Sequence, residues 1–586
     1  MSPVLAATLA FLAYAAGYRF YSGWLARRVF RLDPAAVTPA HSRADGVDFV
    51  PTRPVVLFGH HYASISGLAP MLGPAVAVFW GWLPALVWVV LGAVFVGCVH
   101  DFSALVLSAR HGGQSIGALC EDILGPLAKG LFLALIFFGI ALAMGVFVFV
   151  ISILFSWGAD FDPAALAAAK TSFPEVALPS GGLMIVALGA GWLLYVRRKP
   201  LLPVAAGGFA LLLVLIWLGH RYPTLGVTDR SAWPSPDSWI LLLMAYAWLA
   251  SVLPVWLLLQ ARDFLNSLLL VGGLGLMYLG FFLTAPTFDA PAFNPAPTGA
   301  PPILPFVFIT IACGAASGFH SLVSSGTTAR QLDRETHARP IGYGGMIAES
   351  LLALLAVLAC TATLGGRAQW ARVYVDWNAV QDLGAKLGVF IRGSASFLQR
   401  LGIPEDLAVT LVAMVVVSFA LTTLDSATRL LRFNVEEIGA ALGRRPGLGR
   451  LGRLLANRFL ATTVACAAIT FLAFYEIEVD GVRKPAGLAL WTLFGSTNQL
   501  IAGLALLTGA VYLRRSGRTS WPLALPAIAM TGMTLTALAL KIRDFAAQGT
   551  VLLLVLASIL AAIGIGVSLT AARRWRRPAQ EAPRAG

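Results

Sequence analysis

Charge is what this chain has least of. Only 12% of its 586 residues are Asp, Glu, Lys or Arg, about half the share of an ordinary soluble protein. With a mean hydropathy of +0.79, that scarcity excludes a soluble globular chain. The balance is basic, 42 Lys and Arg against 28 Asp and Glu, which could point to nucleic acid. The basic residues fall between apolar runs, however, as in cytoplasmic loops of membrane proteins, so no nucleic-acid partner is expected. Cysteine is scarce too. Cys98, Cys120, Cys313, Cys360 and Cys466 lie mostly in or beside apolar runs, with no CxxC, which argues against a disulfide framework or a zinc site. Neither G-x-x-x-x-G-K-[ST] nor H-E-x-x-H occurs, so nothing signals a nucleotide-driven pump or an intramembrane metalloenzyme. No soluble stretch is long enough for a sensor's output domain, and no short repeat would build a channel filter.

What is present is a long series of apolar runs, without the alternation of a β-barrel. The chain reads as an all-α polytopic membrane protein whose partner is the lipid bilayer. At roughly 20 residues per crossing, spans begin near Val4, Phe58, Pro84, Gly130, Gly182, Leu201, Ser238, Leu265, Ile303, Gly345, Leu407, Leu454, Ala486, Trp521 and Val551, about fifteen in all. The first run has no charged n-region and no A-x-A site, so it reads as a retained helix.

Alternate loops carry the basic residues: Arg27, Arg28, Arg31 and Arg53; Arg197, Arg198 and Lys199; Arg330, Arg334 and Arg339. The series continues with Arg429, Arg432, Arg444, Arg445, Arg450 and Arg453, then Arg514, Arg515 and Arg518, then Arg573 to Arg577. The intervening loops, such as "WGADFDPAALAAAK" and "APTFDAPAFNPAPTG", are poorer in them. An odd number of crossings then puts the N-terminus outside and the C-terminus in the cytoplasm. The tail "RRWRRPAQ" would hold the last helix at the anionic inner leaflet. The stretch Gly366–Glu405 departs from the pattern: it is predicted outside yet holds Arg367, Arg372, Lys386, Arg392 and Arg400. An amphipathic or re-entrant segment would account for it.

Two runs are broken by glycine, serine and histidine: "LFGHHYASISGLAPMLGP" and "FITIACGAASGFHSLVSSGTTARQL". Setting Gly59–Gly67 against Gly318–Gly326 pairs Gly59 with Gly318, His61 with His320, Ser66 with Ser325 and Gly67 with Gly326. Two interrupted helices in halves of opposite orientation point to inverted repeats and a binding site at the bilayer midplane. Where a helix unwinds, its freed backbone groups can bind substrate or ions. The candidate substrate-binding residues are therefore Gly59, His60, His61, Ser64, Ser66 and Gly67 in the first run. In the second they are Gly314, Ser317, Gly318, His320, Ser321, Ser324 and Ser325. The structural alternative for each Ser or Thr is a bond to its own helix's carbonyl at i−4. For each His it is a packing pair.

Together with "VHDF", "LPVWLLLQARDF", "IGYGGMIAES", "LTTLDSATRLLRF" and "LWTLFGSTNQLIA", in this order from about Arg53 to Ala502, these stretches resemble the carbon starvation protein A family of bacterial inner-membrane transporters. The resemblance implies LeuT-like architecture within the amino-acid/polyamine/organocation group. It also implies uptake of peptides, or of pyruvate or another small carboxylate, linked to carbon starvation. The carrier would be a symporter, not an enzyme, with no cofactor beyond a coupling ion, H⁺ first and Na⁺ second. Compared with longer members, the chain is expected to lack a helix before the first span, and it has a shorter loop between the tenth and eleventh spans. His100 stands where Gln is expected. The resemblance divides the chain into 1–54, an N-terminal helix and basic loop; 55–236, a first repeat; 237–302, an extra helix pair; 303–515, a second repeat; and 516–586, C-terminal helices and basic tail.

Four further constellations bear on coupling. In LeuT-like folds the helix matching "LTTLDSATR" supplies hydroxyls to a sodium site, which here would be Thr422, Thr423, Ser426 and Thr428, with Asp425 adding charge; the alternative is Asp425 paired with Arg429 at i+4. Asp101, with His100, is placed near the cytoplasmic face, where it could gate or simply pair with Arg110. Glu349 is placed at the start of its span as a proton carrier, or as a carboxylate favoured by the helix dipole. Asn498 and Gln499 are read as helix-to-helix glue. No metal ligand set is expected.

Overall fold

Ser2 begins the first helix by accepting a hydrogen bond from the Leu5 amide at 3.2 Å, and apolar residues then carry it to Val29. In the computed structural model, which describes residues 1–157, 172–479, 482–485 and 490–576, this is α1, Pro3–Val29. Prolines open the next helices, where a missing N–H costs nothing. They are α2, Pro54–Ile65, and α3, Ala69–Trp80; α4, Trp82–Arg110, follows from Gly81. Then come α5, Pro126–Phe155; α6, Pro174–Val196; α7, Leu201–Arg221; α8, Pro236–Val252; and α9, Leu259–Thr284. The second half holds α10, Ile303–Thr310; α11, residues 318–331; and α12, Glu335–Thr361. It continues with α13, Leu383–Gln399; α14, Glu405–Gly443; α15, Gly449–Leu455; and α16, Arg458–Phe474. A two-stranded hairpin follows, β1 Glu476–Val479 and β2 Val482–Pro485. The last helices are α17, Trp491–Arg515; α18, Trp521–Gln548; and α19, Val551–Trp575.

Among the described residues eleven helices are long and apolar enough to cross a membrane, or thirteen if the bent pairs α2/α3 and α15/α16 each count as one span. The polytopic all-α reading therefore holds at that coarser level. The burial of each span separates a centre from a ring. Within their most apolar windows α14 is 83% buried and α17 89% buried, while α7 is only 22% buried. Leu211, Val214 and Trp217 on α7 face outward, as lipid-facing positions do.

Two breaks shape the centre. Between α2 and α3 the backbone leaves the helix at Ser66 (φ −83°, ψ 87°), and the two pieces meet at 48°. Pro70 has no N–H to continue the ladder of α2. Between α10 and α11 the chain runs unwound from Ile311 to Ser317 through Gly314, whose φ of +87° suits only glycine. The matched stretches lie on opposite sides of these breaks: Gly59–Ile65 precedes the first, and Gly318–Gly326 follows the second. The register that superposes the breaks themselves pairs Gly67 with Gly314.

Several placements differ from the expectation. Arg429 and Arg432 are not loop residues: they lie inside α14 and are 0% and 1% exposed. "LTTLDSATR" falls mid-helix because α14 runs on for 39 residues. Glu349 lies well inside α12, away from its N-terminus, so the dipole does not explain it. His100 and Asp101 lie nine or more residues before the end of α4, below the surface rather than at it. The anomalous stretch 366–405 contains α13, which buries Lys386; its ammonium donates to the Val373 carbonyl at 2.8 Å and sits over the Tyr374 ring. Most of "WGADFDPAALAAAK", the expected span start at Ala486 and the tail from Arg577 lie outside the described residues.

Candidate functional site

A cavity lies between the two breaks. Ile65, Gly67 and Ala69 line it from the first and Cys313 and Phe319 from the second, with Met144, Phe147, Thr423, Phe494 and Asn498 completing the wall. Its volume, in space open to the centre of a water-sized sphere, is about 30 Å3, room for two waters or so. The backbone N–H groups of Leu68, Cys313 and Gly314 donate to no backbone carbonyl among the described residues. Asn498 braces the second break. Its Oδ1 accepts from the Phe319 amide at 3.0 Å, satisfying one of the free donors at the start of α11, and its Nδ2 reaches Ser317 Oγ at 3.1 Å. Gly318 allows that approach, since a Cβ there would meet the Asn498 carbonyl at 2.2 Å.

Of the candidate residues, Gly67 and Thr423 line the cavity. Gly59 and Ser66 do not: Gly59 faces the Ser267 hydroxyl, and Ser66 Oγ is buried without a hydrogen-bond partner among the described residues. Ser321 and Ser325 donate to Gly318 and Ser321 carbonyls of their own helix.

The two histidines of "GHHY" part company, because neighbours on a helix point about 100° apart. His61 turns toward α4 and α11. Its Nε2 is 2.9 Å from Asp101 Oδ2, and its Nδ1 is 2.9 Å from Thr328 Oγ1. Asp101 also accepts from Ser324 Oγ. His320 Nδ1 lies 3.8 Å from the same carboxylate, and its Nε2 lies 3.0 Å from Glu349 Oε2. His61, Asp101, His320 and Glu349 are all 0% exposed, and His100 beside them has no partner for either ring nitrogen among the described residues. The ring of His61 fits because Gly345 leaves room, a Cβ there coming within 2.8 Å of it. Arg110, offered as a partner for Asp101, instead binds Glu335 at 2.5 Å.

His60 turns the other way, toward α9 and α14, with Nδ1 2.7 Å from Asp263 Oδ2. Arg262 holds Asp263 Oδ1 at 2.8 Å through Nη2 and bonds Asp425 through Nη1. Tyr246 of α8 donates to Asp425 at 2.5 Å. Ser64 links Asp263 to Ser426, 2.9 Å away. Arg262, Asp263 and Tyr246 were not singled out from the sequence. Starting the eighth span at Leu265 left Arg262 and Asp263 in a loop, whereas α9 begins at Leu259 and draws them in. An adjacent Arg and Asp at the lip of an apolar run was the available signal. Asp425 does not pair with Arg429, which binds Asp48 at 2.8 Å and the Ala250 carbonyl at 3.0 Å.

The hydroxyls assigned to a cation are turned into protein contacts. Thr422 Oγ1 donates to the Ala63 carbonyl at 2.8 Å, and Thr423 Oγ1 to the Ser64 carbonyl at 3.2 Å. Among the described residues no cluster of three His, Cys, Asp or Glu side chains has metal-holding geometry.

The family model described as carbon starvation protein CstA matches residues 2–374 and 368–537. The peptide transporter CstA of Helicobacter pylori J99 is 34% identical over 577 residues, covering 90% of this chain and 80% of its own. The pyruvate/proton symporter BtsT of Escherichia coli K12 is 31% identical over 607 residues, covering 90% and 80%. Among solved structures, a manganese transporter of Eremococcus coleocola superposes at TM-score 0.40 with 13% identity, over 91% of this chain and 99% of its own. A superposition this loose carries no argument about fold. The sequence match is of another order: it runs through both broken helices and the polar stretches that meet around them, and the chain belongs to the carbon starvation protein CstA family.

Proposed function

We propose that this chain is a secondary active transporter that imports a small carboxylate, a peptide or pyruvate, with protons across the bacterial inner membrane in carbon starvation. The observation that carries the reading is the fully buried His61–Asp101–His320–Glu349 network beside a cavity walled by two helix breaks. Intramembrane ionisable groups are expensive and as a rule functional, and a His between carboxylates is suited to take and release a proton. The names of the two relatives, a peptide transporter and a pyruvate/proton symporter, support the same substrate and ion classes.

In this reading fifteen helices cross the membrane as LeuT-like inverted repeats, with the N-terminus outside and the domain limits given above. Amides freed at the breaks hold the substrate carboxylate. The polar half of α2 and the whole of α11 then belong to the cytoplasmic side, so the network lies between cavity and cytoplasm. Protons are favoured over sodium because Thr422 and Thr423 donate into the carbonyls a sodium ion would need, and Arg262 already neutralises Asp425.

The test is uptake of labelled pyruvate and of a labelled di- or tripeptide into proteoliposomes, with a proton gradient and separately a sodium gradient. Accumulation of one of them under the proton gradient is expected. His61→Ala and His320→Ala should each abolish it while the protein still inserts. Full activity in both variants, or accumulation under sodium alone, would sink the assignment.

A further inference from the structure

We propose that His60 carries a second coupling proton, so that two protons accompany each substrate. The proposal rests on the proton-symport reading. Arg262 contributes one positive charge to its cluster, and Asp263 and Asp425 contribute two negative ones. All three side chains are essentially withdrawn from solvent. An uncompensated charge buried this way is strongly unfavourable. A proton on His60, whose Nδ1 is 2.7 Å from Asp263, brings the cluster to zero.

The cluster that His60 joins is built from Asp263, Arg262, Asp425 and Tyr246, and the next buried cation, Arg429, is held by Asp48. Asp263 is the charged group in direct contact with His60, and Ser64 of the same helix joins Asp263 to Ser426. Among the described residues Asp263 and Asp425 form ion pairs only with Arg262 and His60. His60 Nε2 and Asp425 Oδ1 are buried with no hydrogen-bond partner among the described residues, which leaves each free to meet water once the helices part.

The second proton is distinct from the first because the clusters are distinct. No side-chain hydrogen bond among the described residues joins the His60 cluster to the His61 network. Both are nevertheless anchored on the same half-helix, α2. Any tilt of α2 that opens the inner side separates His60 from Asp263 and His61 from Asp101 in one movement. The imidazolium of His60 then passes its proton to water on that side, while Asp263 keeps Arg262.

The experiment measures the balance point. Proteoliposomes are held at zero voltage with potassium and valinomycin under a gradient of one pH unit, and the gradient of labelled pyruvate at which net flux vanishes is found. Labelled dialanine replaces pyruvate if only peptide moves. Two protons put the balance at about 100-fold accumulation and one proton at about tenfold. Wild type is expected near 100-fold. His60→Gln combined with Asp263→Asn leaves Arg262 and Asp425 balanced and should transport with a balance near tenfold. If the double variant does not insert, Asp263→Asn alone carries the same expectation. A wild-type balance near tenfold, or a variant balance still near 100-fold, overturns the proposal and leaves symport intact. Absence of proton-driven flux in wild type overturns symport itself.

Discussion

Asn498 shows how much one side chain can change meaning between sequence and structure. In the sequence it is an amide inside an apolar run, read as glue between helices. In the fold it caps α11, touches the unwound strand at Cys313 and Ser317 and lines the cavity. Asn498→Ala strips the Phe319 amide of its acceptor, at about 1–3 kcal/mol for a buried donor left alone. A lower melting temperature in detergent and at least a tenfold loss of uptake are expected. A variant that melts lower but transports normally would return Asn498 to the role of glue. The histidines were legible in the sequence as polar residues in the wrong place. Their partners were not, because Asp263 is about 200 positions away from His60, and only packing brings α9 against α2.

The element that matters most is the broken helix, and here the sequence was informative about place but not register. Glycine and serine marked both runs, yet the tempting match of Gly59–Gly67 to Gly318–Gly326 sets residues before one break against residues after the other. The unwound positions are Ser66–Leu68 and Ile311–Ser317, and what selects them is backbone geometry rather than histidine spacing. Two glycines separate structure from function. Gly314→Ala forces a side chain into the left-handed region, at about 1–2 kcal/mol, and puts its Cβ 2.5 Å from that of Ala353. This variant should fold poorly, with reduced yield and melting temperature. In Gly67→Ala the new methyl would press on the Phe147 ring at 2.8 Å and Thr423 Oγ1 at 3.0 Å, inside the cavity wall. It should insert and melt near wild type but lose uptake. Equal effects on folding in the two variants would mean that the first break is as constrained as the second.

Across the whole molecule, apolar runs separated by basic loops were enough to read a polytopic helical chain, since length and hydropathy depend only on neighbouring residues. They misjudged Arg429 and Arg432, which charge alone cannot distinguish from loop residues. Both reach Asp48 from inside α14, at 2.8 and 3.9 Å, tying the loop before α2 to the core. The orientation can be read by labelling, because all five native cysteines are buried and give a low background. Arg198→Cys, in the exposed turn between α6 and α7, should react with an impermeant maleimide only from the cytoplasmic side. Ala296→Cys, in the segment before α10, should react only from outside. The reverse pattern would invert the molecule and place the polar half of α2 at the outer face.

The central cavity is narrow for the larger of the cargoes proposed for it. A chamber with about 30 Å3 open to the centres of water-sized spheres is tight for a peptide, which enters as the walls widen. Cargo and dilation are then a single thermodynamic event, and any measured affinity is what remains after the walls have been pushed apart. Ligands that fill the swollen chamber but block its reclosure should bind as tightly as true cargo and go nowhere. They are the molecules from which inhibitors of this carrier should be sought.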